Sequence, residues 1–461
     1  MMKKKFGFLK RAVVAALTLA VFGSSAALAA TENLFGYTVV DSNYTQGLAG
    51  AINGDRTAAP GTFTSSTKVT GLNSDPALFN FFQGNESRLV LRQYNVYAPA
   101  TLIDNKIIDP FASSWTPSLA EKKWDAVRNL HAVATKGNFL YATGYDLAKI
   151  AVVNMATGYT QTTHNYQFPT SWPSITTADV PAGASVHGEG LTVVDNNLYA
   201  LFTVNPGGSY SVYSDSIVVK FNINSITGAL TYASHLKVGK NAFTLDHYDN
   251  KLYVCALGGA QNDGSSNADT RLDIIDLSNF TKTTVNKTTS MTGDFRDITI
   301  VDANNAYVFL GNYNTSWNMD GGVYHTTVAN LTSPSAWTNV SNLSNAPGYL
   351  WGIYADSNRF WFVKGNQIDI YSSLLVSTTK TAPKTFTAAQ LGGSSFGPYA
   401  SLNSAIILAP DQTSGLAAKS ASGVAKSFAS QSVLAQQARK AAEEAKTGLK
   451  TVNGQRILSF N

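Results

Sequence analysis

Residues 248–276 hold the stretch that decides the fold: a turn at Tyr248-Asp249-Asn250, the run Lys251-Leu252-Tyr253-Val254, and then Leu272-Asp273-Ile274-Ile275-Asp276. Asn and Asp tolerate the left-handed backbone that tight hairpins require, so the turn joins two strands. The stretch is not unique. Gly137-Asn138-Phe139-Leu140-Tyr141-Ala142, Asn196-Asn197-Leu198-Tyr199-Ala200, Asn304-Asn305-Ala306-Tyr307-Val308 and Asn358-Arg359-Phe360-Trp361-Phe362 repeat its form. The aromatic anchors fall at 141, 199, 253, 307 and 361, with separations of 58, 54, 54 and 54 residues.

Each anchor has similar surroundings. An alternating strand precedes it, as in Leu191-Thr192-Val193-Val194 and Ile298-Thr299-Ile300-Val301. A third strand follows, such as Ile150-Ala151-Val152-Val153, Ile217-Val218-Val219-Lys220-Phe221 or Ile368-Asp369-Ile370-Tyr371. A Thr-rich fourth strand closes the unit, as in Lys282-Thr283-Thr284-Val285. Four short antiparallel strands at this period describe a propeller blade, whose two faces are buried only between neighbouring blades. The predicted fold class is therefore all-β, a β-propeller.

Weaker copies place anchors near Val90 and Ile406, which gives seven blades; six and eight stay open at this stage. The last unit stops after Leu408. Tyr37-Thr38-Val39-Val40-Asp41 has the pattern of a third strand. The N-terminal segment is expected to supply the outer strands of the blade begun near Tyr399, closing the ring and removing its open sheet edge.

The Leu252-Tyr253-Val254 core, followed by Leu272-Asp273-Ile274-Ile275-Asp276, resembles the repeat of YVTN-type propellers over roughly residues 127–375. The Thr-Asn that usually follows the Tyr-Val core is absent. The resemblance implies a propeller of the bacterial secreted or surface kind. It implies no single activity, since that family spans surface-layer, periplasmic and lactonase-like proteins.

The ends differ from the body. Lys3, Lys4, Lys5, Lys10 and Arg11 precede an apolar run from Ala12 to Phe22 and the small residues Ala27-Leu28-Ala29. Residues 1–29 thus read as a signal peptide, and the protein as secreted to the periplasm or cell surface. No later stretch is long and apolar enough for a transmembrane helix. The whole chain carries +5, and the leader holds five positive charges and no acids, so the mature chain is near neutral and no nucleic acid is expected as partner. Cys255 is the one cysteine, in an apolar run, and reads as a buried small hydrophobe. Residues 30–410 form the propeller. Residues 411–461 read as a Ser/Gly/Ala-rich linker and a basic Ala-rich helical tail over 424–449.

In propellers the innermost strand of each blade begins at the mouth of the central channel, where ligands commonly bind. Ten residues before the anchors stand Asn80, His131, Glu189, Phe243, Asp297, Trp351 and Phe396; just upstream lie Arg128, Asn129, His187, Asn241, Asp294, Arg296 and Tyr349. His131, His187, Glu189 and Asp297 carry the donors a divalent metal needs. Under the resemblance, such a set would serve a lactonase-like hydrolase. Trp351, Tyr349 and Phe243 offer aromatic surface for a glycan or peptide. The third reading is a polar mouth with capped strand ends. The leading expectation is a non-enzymatic binding or scaffold module with no resident cofactor. Its ligand, a partner protein, a peptide or a cell-surface glycan, is held by His131, His187, Glu189, Asp297, Arg296, Tyr349 and Trp351. Gly393-Ser394-Ser395-Phe396-Gly397 matches a nucleophile elbow by letter only, because no helix is expected after it. Asn262–Asp269 resembles a calcium loop in composition only.

Overall fold

A computed structural model describes residues 34–408, except 44, 54–64, 73–74, 95–102, 113, 116–121, 123, 125–126, 169–170, 173, 207–211, 260–265, 317, 349, 357–358, 380–381 and 398–399, together with 449–452 and 455–458. The described body is a seven-bladed β-propeller of antiparallel sheets. Blade 2 has three strands, Ala77–Gln83, Glu86–Tyr94 and Ile103–Ile108, and a bridge from Asn105 to Lys122 extends it outward. The other six blades have four strands each. Blades 3 to 7 begin with the inner strands Leu130–Lys136, Ser185–Val194, Ala242–Tyr248, Asp294–Asp302 and Leu350–Ala355.

Blade 5 shows how the repeat becomes a blade. Asp249 adopts φ +52° in the hairpin turn, the left-handed conformation its residue type tolerates. The turn leads into Lys251–Ala256, in which every residue after Lys251 is buried. A strand in a half-exposed sheet would alternate; this one has a neighbouring blade over each face. Tyr253 packs with Phe295 and Ile298 of blade 6, while Leu252 and Val254 pack with Tyr199 and Val218 of blade 4. Each such buried side chain contributes roughly 1.5–3 kcal/mol. The outer strand Thr281–Asn286 buries only Val285, hence its Thr-rich sequence.

Blade 1 closes the ring. Ser401–Leu408 is its inner strand, paired with Leu34–Val40, then Gly47–Asn53 and Ser65–Leu72. The expected joining of the two chain ends is present, with one correction to the register. Ile406 lies on the inner strand, not at an anchor. Tyr37, paired with Ala405 and Gly50, takes the second-strand position, so the N-terminal segment supplies three strands. The inner strand of this blade has its hairpin partner at the other end of the chain, so the apolar run around Ile406 reads as an anchor strand in sequence.

Polar bonds cross every junction between blades. Thr38 Oγ1 donates to Pro76 O at 2.9 Å and Arg92 Nη1 to Leu130 O at 2.9 Å. His131 meets Glu189 at 3.1 Å, and Ala242 N donates to Ser216 Oγ at 3.0 Å. Thr244 Oγ1 donates to Arg296 O at 2.9 Å, Ile353 N to Asp297 Oδ2 at 3.0 Å, and Tyr354 OH to Ala405 O at 2.6 Å. Apolar packing alone lets one blade slide on the next; directional bonds fix the stagger.

The leader and residues 409–448, which hold most of the expected helix, lie outside the described residues. Leu449, the last residue of that expected helix, instead opens a hairpin of Leu449–Val452 with Gln455–Leu458. Cys255 is fully buried. No helix among the described residues is long and apolar enough to cross a membrane.

Candidate functional site: the channel mouth

The inner strands of five blades share a β-bulge near their first residues. The unpaired residue is His131 in blade 3, Glu189 in blade 4, Phe243 in blade 5, Arg296 in blade 6 and Asn403 in blade 1. A bulge sets two residues against one and re-aims a side chain without breaking the strand. The anchor spacing finds three of the five. It fails in blade 6 because a second irregularity between Ile300 and Asp302 adds a residue to that hairpin. The equivalent of His131 and Glu189 is therefore Arg296, not Asp297.

Blades 3 and 4 bring His131, His187 and Glu189 together around Tyr145. His131 Nδ1 and Glu189 Oε2 are 3.1 Å apart, and Thr203 Oγ1 donates to Glu189 Oε1 at 3.3 Å. His187 Nδ1–H donates to Tyr145 O at 2.8 Å, and its ring stacks on Tyr145 with centroids 3.9 Å apart. The His131 ring lies 5.0 Å from the Tyr145 ring. Among the described residues, Nε2 of both histidines is buried without a hydrogen-bond partner, and so is Nε of Arg128 just upstream.

Burial sets the protonation of this group. Glu189 is pushed up to about 8 by desolvation, against which Thr203 acts weakly. Desolvation, then the charges of Arg92 and His187, hold His131 well below its ordinary value, and desolvation also lowers His187. Below pH 8 the Glu189 carboxyl therefore donates its proton to His131 Nδ1, which leaves Nε2–H as a donor. His187, with Nδ1–H committed to a carbonyl, presents an acceptor at Nε2.

A pH dependence follows. Glu189 binds its proton more tightly folded than unfolded, so its stabilisation is full below the unfolded carboxyl value and is lost as pH rises through about 8. His131 has the opposite sign and adds stability as pH rises through its unfolded value near 6.5. His187, also lowered, acts with His131, so the histidines oppose Glu189 up to about pH 7, and Glu189 dominates above it. Wild-type protein is expected to lose about 2 kcal/mol between pH 6.5 and 8, and Glu189→Gln to lose little. Urea unfolding across that range reads the difference.

The other candidates sit differently. Asp297 is 1 % exposed, and its carboxylate accepts from Ile298 N at 2.9 Å and Ile353 N at 3.0 Å. It braces blade 6 against blade 7 and does not join the histidines. Among the described residues, no three His, Cys, Asp or Glu side chains converge as a metal site would require. Trp351 is fully buried between blades, beside Phe309 and Phe362, so its ring offers no stacking face. Tyr349 lies outside the described residues. Asn80 sits mid-strand and accepts from Ser87 Oγ at 3.2 Å, because blade 2 extends its hairpin beyond the repeat. Phe396 ends the 3-10 turn Gly393–Phe396, ahead of the inner strand. Residues Asn262 to Ser265 of the calcium-like loop are outside the described set; Ser266 and Asn267 instead bond to Asp294.

Asn129 and Asn241 occupy matching positions, each two residues before a bulge and each with φ just above +50°. Their carbonyls accept equivalent backbone bonds, from Tyr145 N and Leu257 N. Their side chains part ways. Asn129 accepts from Arg92 Nη1 at 2.5 Å and donates to Asp146 Oδ1 at 3.4 Å. The Asn241 side chain, 4 % exposed, makes no hydrogen bond among the described residues. Residues that counting ten back from the anchors does not reveal complete the mouth: Asp75, Arg92 and Asn403, and Tyr145 and Thr203, which each stand four residues after their anchors Tyr141 and Tyr199.

No known protein family matches the chain, and no curated protein matches it in sequence. Among solved structures, it is similar to the periplasmic gluconolactonase PpgL of Pseudomonas aeruginosa, at 10 % identity and a TM-score of 0.49, over 76 % of this chain and 95 % of that one. It is also similar to apo AztD of Citrobacter koseri, at 11 % identity and 0.41, over 77 % and 95 %. A third is Saccharomyces cerevisiae Sqt1, at 10 % and 0.40, over 67 % and 85 %. At these values no substrate or partner passes from them to this chain.

Proposed function

We propose that this propeller is a non-catalytic binding module of the periplasm or cell surface, which takes its ligand at the channel mouth on the side built by blades 3 to 6. One observation carries the reading. Polar groups crowd the same end of four consecutive blades, and several are buried without partners among the described residues: Nε2 of His131, Nε2 of His187 and Nδ2 of Asn241. Buried polar atoms in proteins are nearly always satisfied, and each one left bare costs about 1–3 kcal/mol. Other buried polar atoms, such as Thr192 Oγ1 and Trp361 Nε1, are also bare among the described residues; what supports a site that a ligand completes is that these three stand together at the same end of adjacent blades. A glycan or a peptide supplies the mixed donors and acceptors these groups need.

The basic start and apolar run of the leader support export. The test uses the protein as secreted by cells expressing the full chain. Its N-terminus is expected at Ala30, and immobilised protein is expected to capture ligand from glycan and peptide arrays. His187→Ala and Asn241→Ala should each weaken capture about tenfold, one lost charge-free hydrogen bond or more; Asn241→Ala should do so with little change in unfolding midpoint, while His187→Ala also gives up its bond to Tyr145 O. A ligand held equally well by both variants would place the site elsewhere.

A further inference from the structure

Two arginines are buried near the mouth, and they are treated differently. Arg92 in blade 2 is 2 % exposed and has its own carboxylate, with Nη2 2.9 Å from Asp75 Oδ2. Arg296, on the bulge of blade 6, is 4 % exposed and has none. Its Nε donates to Gly311 O at 2.6 Å, and its guanidinium carbon lies 5.0 Å from the Tyr313 ring centroid. These contacts hold the plane of the fork. Its two Nη groups make no hydrogen bond among the described residues.

Asp294, on the same strand, is the acid whose charge reaches Arg296. Its oxygens are already occupied. Oδ1 accepts from Ser266 Oγ at 2.6 Å and Asn267 N at 2.8 Å, Oδ2 from Asn267 Nδ2 at 3.0 Å, and Lys287 Nζ stands 4.0 Å from Oδ1. A buried guanidinium without a paired anion is costly, and proteins seldom leave one so. The free edge is two parallel N–H donors, the shape that matches a carboxylate. Just before the adjoining inner strand Ala242–Tyr248 stands Asn241, whose amide nitrogen is unpartnered among the described residues. The bond from Thr244 Oγ1 to Arg296 O fixes the two strands against each other.

We propose that Arg296 and Asn241 form a carboxylate subsite of the mouth, so that the ligand carries a carboxylate group. This rests on the mouth-binding reading above. The probes are sodium acetate, its neutral isostere acetamide, and sodium phosphate, titrated at matched ionic strength into protein with isotope-labelled arginine. The Arg296 Nε–Hε resonance is assigned by its loss in Arg296→Gln. Acetate is expected to give a saturable shift, acetamide only a linear drift, and phosphate a weaker response than acetate. Asn241→Ala should weaken acetate binding about tenfold. Matching linear drifts with acetate and acetamide would overturn the subsite, and a stronger response to phosphate would overturn the choice of carboxylate. Either result leaves the mouth reading standing if His187→Ala still weakens array capture about tenfold.

Discussion

Replacing Asp75 by alanine is expected to remove about 3–5 kcal/mol of folding stability, the cost of stranding a buried charge. The Asp75 side chain is fully buried, and Arg92 is nearly so. Between them they join three blades. Asp75 accepts from Asn403 Nδ2 of blade 1, and its carboxylate sits 2.9 Å from Arg92 Nη2. Arg92 Nη1 then reaches into blade 3, donating to Asn129 Oδ1 at 2.5 Å and Leu130 O at 2.9 Å. Alanine at 75 leaves the guanidinium with backbone and amide acceptors only. It also leaves the Asn403 amide with one acceptor, Pro76 O at 2.8 Å. Urea unfolding of the variant measures the loss. The double variant Asp75→Ala/Arg92→Leu should recover part of it, because removing both charges removes the uncompensated one. A loss below about 1 kcal/mol in the single variant would mean that the pair is open to water and that the blade 1–2–3 corner is looser than described.

The same corner shows where the sequence was legible. The repeat depends on hydrophobic period and turn chemistry, which are local, so Leu252-Tyr253-Val254 and its copies disclosed the blades. Tyr37 was legible as a strand residue, yet its place as second strand was not. That place depends on pairing with Ala405, 368 positions away in the chain, and on the loss of the hairpin that sets register elsewhere. At the mouth, spacing from the anchors located His131 and Glu189. It misplaced the blade 6 member by one, since an added residue in one hairpin shifts every position upstream. It also promoted Trp351 as a binding surface, because an aromatic at an inner strand looks the same in sequence whether it faces the channel or the next blade. Arg92 and Asp75 had no signal at all: their role comes from three blades meeting, and no one blade's repeat encodes it.

The mouth exists only if the N-terminal strand completes blade 1, and a disulfide tests this directly. Thr38 and Ser404 are register partners on Leu34–Val40 and Ser401–Leu408, with hydroxyl oxygens 3.0 Å apart in the buried core. Directly opposed residues of antiparallel strands have Cβ atoms about 4.5–5.5 Å apart, near the range a disulfide spans. Cys255 is buried and does not compete. In the double variant Thr38→Cys/Ser404→Cys, mild oxidation of the folded protein is expected to form the bond nearly completely, as read by peptide mass spectrometry. It closes a loop across 366 positions, so the oxidised form should be more stable than its own reduced form by about 2–5 kcal/mol. Free thiols at both positions in folded, oxidised protein would contradict the closed ring, and with it the mouth on which the proposed function rests.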